Sequence, residues 1–178
     1  MKLTKTSFKD LVIIKHNIFE DNRGCFKEKY KIKELEKYVD YEINFCQQNS
    51  VKSYKNVLRG LHFQKEPYAQ SKLISIEIGE ILDIAVDLRS DSKTYGKYFS
   101  YILTADNNES LFIPKGFAHG YLTLSEIAIL NYNVDNYYNP RMECGISYND
   151  KFLNIDWGIN DSRLIISEKD RNQNFYEW

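Results

Sequence analysis

The sequence predicts an all-β fold, closed or double-layered and antiparallel. Three observations carry that reading. Aromatic residues make up 15% of the chain, with 14 tyrosines and 10 phenylalanines, and such side chains favour a pleated, half-buried surface. Residues 74–78 read Ile-Ser-Ile-Glu-Ile, the period-2 alternation of a strand with one buried face. Short runs of this kind recur along most of the chain while one segment alone reads as helix, and closing such a sheet removes its exposed edges.

In chain order, the weaker strand signals span 26–30, 43–47 and 57–63. Between the first two, Ile32, Leu35 and Val39 are spaced for one face of a short helix over 31–39. Residues 72–88 are the clearest stretch. A strand runs to Ile78, Gly79-Glu80 breaks it, and a second strand continues through Ile84 and Val86, which together read as a hairpin. Further strands are expected at 97–103, 110–113, 120–124 and 127–134.

At 178 residues, 43% hydrophobic, the chain is long enough for a real core without disulfides or a structural metal. It shows no repeat, linker or charge block, so one domain over residues 1–178 is expected. Lys and Arg number 24 against 25 Asp and Glu, which lacks the basic field of a nucleic-acid binder. The apolar run at Leu11-Val12-Ile13-Ile14 is too short for a membrane span or a signal-peptide core. Cys25, Cys46 and Cys144 are far apart and fit reduced cytosolic thiols better than a disulfide framework or a zinc motif. A soluble, cytoplasmic protein is the expectation.

Three histidines remain to be weighed. His16 has no partner nearby in sequence. Pro114-Lys115-Gly116-Phe117-Ala118-His119 resembles the second motif box of the cupin superfamily, Pro-x-Gly-x-x-His. Metal cupins pair that box with His-x-His, but here the first box reads His62-Phe63-Gln64. Two histidines without thiolate or carboxylate partners at suitable spacing make a poor transition-metal site. No metal and no cofactor are expected.

The segment Val57-Leu58-Arg59-Gly60-Leu61-His62-Phe63-Gln64 resembles the signature of the dTDP-4-dehydrorhamnose 3,5-epimerase family. So do Phe19-Glu20-Asp21-Asn22-Arg23-Gly24, Asp83-Ile84-Ala85-Val86-Asp87-Leu88-Arg89, Asp135-Asn136-Tyr137-Tyr138 and Ser167-Glu168-Lys169-Asp170. The matches run in order over nearly the whole chain. The resemblance implies a cupin-type double-stranded β-helix, or jelly roll, with short N-terminal strands and few short helices. It implies metal-independent inversion of C3 and C5 in a nucleotide-linked 4-keto-6-deoxy sugar, in a homodimer whose 23–28 segment reaches the partner's pocket. By position, His62 is the base, Asp170 its dyad partner, Lys72 the support for negative charge on the C4 oxygen, and Tyr132 the acid. Arg23, Arg59 and Lys169 match positions for the diphosphate. Glu28, Gln47, Gln48, Asn49 and Glu143 match contacts to the base, the ribose or the neighbouring subunit's ligand. Tyr138 is positioned to stack on the base, and His119 to bind the sugar.

Parity adds an independent argument. Lys72 shares it with Ile74 and Ile76, and Tyr132 with Ala128 and Leu130, so both point toward the core. Arg59 and His62 have opposite parity, and both reach one cavity only if Gly60 permits a bulge or kink. Other readings remain open: a sibling acting at one carbon, on another nucleotide or on a heptose, or a cupin-fold sugar-binding module without catalysis. Gln48 stands where rhamnose-pathway members commonly carry an acid, which leaves the nucleotide open.

Overall fold

Strands with one apolar face bury it by packing sheet on sheet. The computed structural model describes residues 1–178. Its strands are β1 (Lys2–Lys5), β2 (Val12–Lys15), β3 (Asn17–Asp21), β4 (Gly24–Glu28), β5 (Gln47–Tyr54), β6 (Val57–Gln64) and β7 (Lys72–Ile78). There follow β8 (Glu80–Asp87), β9 (Tyr98–Thr104), β10 (Glu109–Ile113), β11 (Phe117–Thr123), β12 (Ile127–Val134), β13 (Glu143–Gly145) and β14 (Ile165–Ile166). Two helices, α1 (Ile32–Leu35) and α2 (Glu168–Arg171), are one turn each.

One sheet has the order β1-β2-β10-β7-β12-β5, and the other runs β13-β6-β11-β8-β9 with β14 alongside β6. Strands β3 and β4 form a separate ribbon. The interior between the sheets holds Ile74, Ile76, Leu111 and Leu130 from the first and Ile81, Ala85, Leu103 and Tyr121 from the second. Both outer faces are also covered. Leu35, Val39 and Ile43 close over Val12, Ile14, Leu73 and Phe112, and Ile146, Tyr148, Leu153 and Trp157 close over Leu58, Ile84 and Leu122. This is the double-layered architecture of the expected jelly roll, antiparallel except for the two-residue β14, which runs parallel to β6, with the short helix at its expected place and broken after Leu35 by a 3₁₀ turn at Glu36–Tyr38.

The expected hairpin over 72–88 is not formed. Strand β7 pairs with β10 and β12, whereas β8 pairs with β9 and β11 in the other sheet. Gly79 is the crossing point: its φ is +82°, and a Cβ there would sit 2.1 Å from the Ile127 carbonyl oxygen. A local turn signal cannot distinguish a hairpin from a change of sheet, because both need the same backbone freedom. The strand expected at 43–47 starts at Gln47 instead, since Ile43 belongs to the cover over the first sheet.

Candidate active site

The β6–β11 pair carries the bulge that parity requires. Arg59 lies opposite Tyr121 and His62 opposite His119, so Gly60 and Leu61 together face Gly120 alone. Gly60 has φ +115°, and a Cβ on it would meet the Gly120 Cα at 2.5 Å and the His119 carbonyl oxygen at 2.7 Å. Glycine is therefore the residue this approach admits. The extra residue rotates Arg59 and His62 onto the wall of one cavity between the sheets, of about 480 Å³.

Helix α2 brings Asp170 to His62 across 108 residues of chain. Ser167 caps that turn by accepting the Asp170 N–H at 3.1 Å. Asp170 is 4% exposed, so it is no solvated tail residue. Its Oδ1 accepts from His62 Nε2 at 2.7 Å, and its Oδ2 accepts the Gly60 N–H at 3.1 Å. Burial by itself raises an acid, but the His62 contact, the Gly60 amide and Lys169 outweigh it and hold Asp170 below the usual carboxylate range. An ionised carboxylate is acceptor-only, so the ring nitrogen it pairs with, His62 Nε2, is the one that carries a proton.

Lys72 lines the same cavity from β7, and its Nζ donates to the His62 carbonyl at 3.3 Å. Burial pushes its ammonium down to about 8, against the opposing pull of Asp83 and Glu143. Tyr132 faces the cavity from β12, with burial raising its hydroxyl and Arg59 acting in the opposite sense. His119 is buried, with Nε2 at 3.1 Å from each carboxylate oxygen of Asp83.

At the mouth, Glu143 Oε2 accepts from the Tyr138 hydroxyl at 2.7 Å and from Lys169 Nζ at 2.6 Å. Desolvation raises Glu143, but those two bonds dominate and hold it low. Gln47 and Asn49 alternate into the cavity from β5.

Three expected binding residues lie elsewhere within the chain. Gln48 has the opposite parity to its neighbours on β5, so it is exposed on the other face of the sheet. Arg23 sits at the tip of the β3–β4 ribbon, its side chain 85% exposed and paired with Asp21. Glu28 ends that ribbon, held by Asn17 and Lys31. The ribbon pairs with neither large sheet, and none of its residues lines the cavity.

Sequence reasoning missed Asp83, Tyr121 and Ser53. Asp83 shares parity with the core residues Ile81 and Ala85 on β8, the signal that marked Lys72. Ser53 Oγ accepts from Arg59 Nε at 3.2 Å and lies 3.0 Å from the Tyr121 hydroxyl. Its role has no sequence signal, because a serine on a strand reads as neutral.

The donor set does not fit a metal of the cupin type. His62 is committed to Asp170 and His119 to Asp83. The Gln64 amide turns to backbone groups. No group of three or more His, Cys, Asp or Glu side chains is arranged around an ion.

A family model described as dTDP-4-dehydrorhamnose 3,5-epimerase matches residues 5–177. The chain belongs to that family of isomerases. The dTDP-4-dehydrorhamnose 3,5-epimerase of Escherichia coli (strain K12) is 45% identical over 170 residues, covering 96% of this chain and 91% of that one. The crystal structure of the enzyme of the same name from Elizabethkingia anophelis NUHP1 is 46% identical, with a TM-score of 0.94 over 99% of this chain and 96% of that one. A dTDP-6-deoxy-D-glucose-3,5-epimerase from Legionella pneumophila Philadelphia 1, solved with dTDP-4-keto-L-rhamnose, is 38% identical with a TM-score of 0.91, covering 98% and 92%. The agreement in fold extends over the whole double-sheet body of this epimerase.

Proposed function

We propose that this epimerase converts dTDP-4-dehydro-6-deoxy-D-glucose to dTDP-4-dehydro-L-rhamnose by inverting C3 and C5 beside the C4 ketone. The observation that supports this most is one cavity with a carboxylate-backed histidine on one sheet and a tyrosine on the other. Inversion needs a base on one face of the sugar ring and an acid on the opposite face. His62 Nδ1 takes the proton next to the ketone, and the electron pair moves onto the C4 oxygen. The Lys72 ammonium stabilises that enolate oxygen. The Tyr132 hydroxyl delivers a proton to the other face and is restored from solvent. Asp170 holds the imidazole tautomer and supports the imidazolium that forms, the logic of a hydrolase triad. No step passes through a metal or a cofactor.

Arg59, Lys169 and Arg23 neutralise the diphosphate, Tyr138 stacks on the base, and His119 binds the sugar. Gln47, Gln48, Asn49, Glu28 and Glu143 serve the nucleoside. Residues 1–178 act as one unit. The test is to incubate the protein with dTDP- and GDP-linked 4-keto-6-deoxy sugars in heavy water. By NMR, deuterium is expected at C3 and C5 of the dTDP sugar. Exchange at C3 alone, or in the GDP sugar only, overturns the reading in that respect.

Arg23 and Glu28 gain a role if the active unit is a homodimer in which the ribbon of one subunit reaches the other's cavity, and Gln48, facing outward on the end strand β5, gains one if that ribbon packs along β5. Phe19 and Phe26 on that ribbon are 59% and 67% exposed, an apolar surface of the kind a partner covers. Light scattering at micromolar concentration is expected to give the mass of a dimer, and a fully active monomer contradicts it. The enzyme acts in the cytoplasm, supplying rhamnose for cell-surface polysaccharide. Exposed free thiols at Cys25 and Cys46 fit a reducing compartment.

The state of Lys72 sets a pH limit. It is charged below about 8 and neutral above, so kcat is expected to fall as pH rises through 8. Lys72→Met should be slow throughout and lack that alkaline limb. A wild-type profile flat to pH 10 removes Lys72 from the enolate.

A further inference from the structure

We infer that Gln64 is a positioning residue: its side-chain amide clamps the peptide groups on both sides of Tyr138 and so sets that ring at the cavity mouth. The inference rests on the proposed stacking of Tyr138 against the base.

Gln64 follows His62 by two residues on β6, which directs it toward the cavity. Its polar atoms are nevertheless spent on backbone. Nε2 donates to the Tyr68 carbonyl at 2.7 Å and to the Tyr137 carbonyl at 3.2 Å. Oε1 accepts the Asn139 N–H at 2.7 Å. A primary amide offers two N–H donors and one carbonyl oxygen, so every group is engaged, and the residue is 7% exposed.

Two of the three partners, the Tyr137 carbonyl and the Asn139 N–H, flank Tyr138. The third, Tyr68, lies in the loop between β6 and β7. One amide therefore ties two loops to a strand that also carries His62. Tyr138 needs such help because its ring is largely exposed. Its own anchors are the hydroxyl bond to Glu143 and a long N–H bond of 3.4 Å to Gln47 Oε1. The chemistry of the clamp is specific to glutamine. A glutamate of the same size turns a carboxylate toward two carbonyl oxygens, and an asparagine is one methylene too short.

The test compares wild type, Gln64→Glu, Gln64→Met, Tyr138→Ala and the double variant Gln64→Met/Tyr138→Ala, all in the full chain. Three quantities are read: amide hydrogen exchange over 135–142, the Kd for dTDP, and kcat at saturating sugar nucleotide. Both Gln64 single variants should exchange faster over 135–142 and bind dTDP about tenfold more weakly, the scale of one lost aromatic–base contact. The kcat of the uncharged variant Gln64→Met should stay within about twofold of wild type, since Tyr138 binds the ground and transition states alike. In the double variant, Gln64→Met should add less than about twofold to the Kd of Tyr138→Ala, because coupled residues are not additive. Wild-type exchange in both Gln64 variants, or effects on Kd that multiply, overturn the inference. If Tyr138→Ala alone binds dTDP normally, the stacking reading falls separately, and the exchange rates still decide the clamp. Gln64→Met keeps the shape without a charge, so it answers the question if Gln64→Glu fails to fold.

Discussion

Replacing His62 by alanine is expected to lower kcat by about 10²–10⁴-fold, the range general-base catalysis supplies. The affinity for dTDP should change little, because the diphosphate is assigned to Arg23, Arg59 and Lys169. Asp170→Asn is the companion variant. Asp170 stays ionised at neutral pH because His62, the Gly60 amide and Lys169 hold its acid form down, and an amide can offer its N–H₂ to the ring and favour the other tautomer. Its kcat should fall in the same direction with the fold intact. Rate measurements under saturating substrate, together with dTDP titration, separate the two effects. Normal turnover by His62→Ala would make the dyad a structural pair and remove the base from the mechanism.

Tyr132→Phe is expected to separate exchange from inversion. The substitution keeps the ring against the apolar wall shared with Leu130 and deletes only the hydroxyl. His62 still forms the enolate and can return a solvent-derived proton to the face it came from. Substrate recovered from heavy water should therefore carry deuterium beside the ketone while net inversion falls by about 10²-fold or more. Inversion at the wild-type rate shows that Tyr132 is not the acid. Joint loss of exchange and inversion assigns Tyr132 to enolate formation instead.

How much of this was legible beforehand differs from residue to residue. The resemblance names Lys72 and Tyr132, and parity supports both independently, since a strand directs alternate side chains to one face wherever it is placed. The bulge at Gly60 follows from the two together: the resemblance puts Arg59 and His62 in one site, and two residues of opposite parity that share a cavity need one extra residue between them. Asp83 obeys the same rule, sharing parity with Ile81 and Ala85, and stands in a matched segment to which the resemblance attaches no role. Asp170 was legible through the motif only. Its spacing from His62 carries no local signal, and an aspartate after a lysine in a polar C-terminal turn looks solvated.

Strand faces, the short helix and the turn glycines are local properties, determined by side-chain alternation and backbone sterics within a few residues. Pairing is not local, and tertiary structure decided it. Gly79 permits either a hairpin or a crossing between sheets, and the crossing wins because β7 and β8 are both buried on two faces and find partners in distant segments. Tertiary structure also decided the electrostatics. Lys72 titrates near 8 only because two sheets remove it from water, and Asp170 remains a carboxylate only because α2 delivers it to His62 and the Gly60 amide. Gln64 shows both sides: strand parity aimed it at the cavity, and two loops folding back over β6 turned its amide into their anchor.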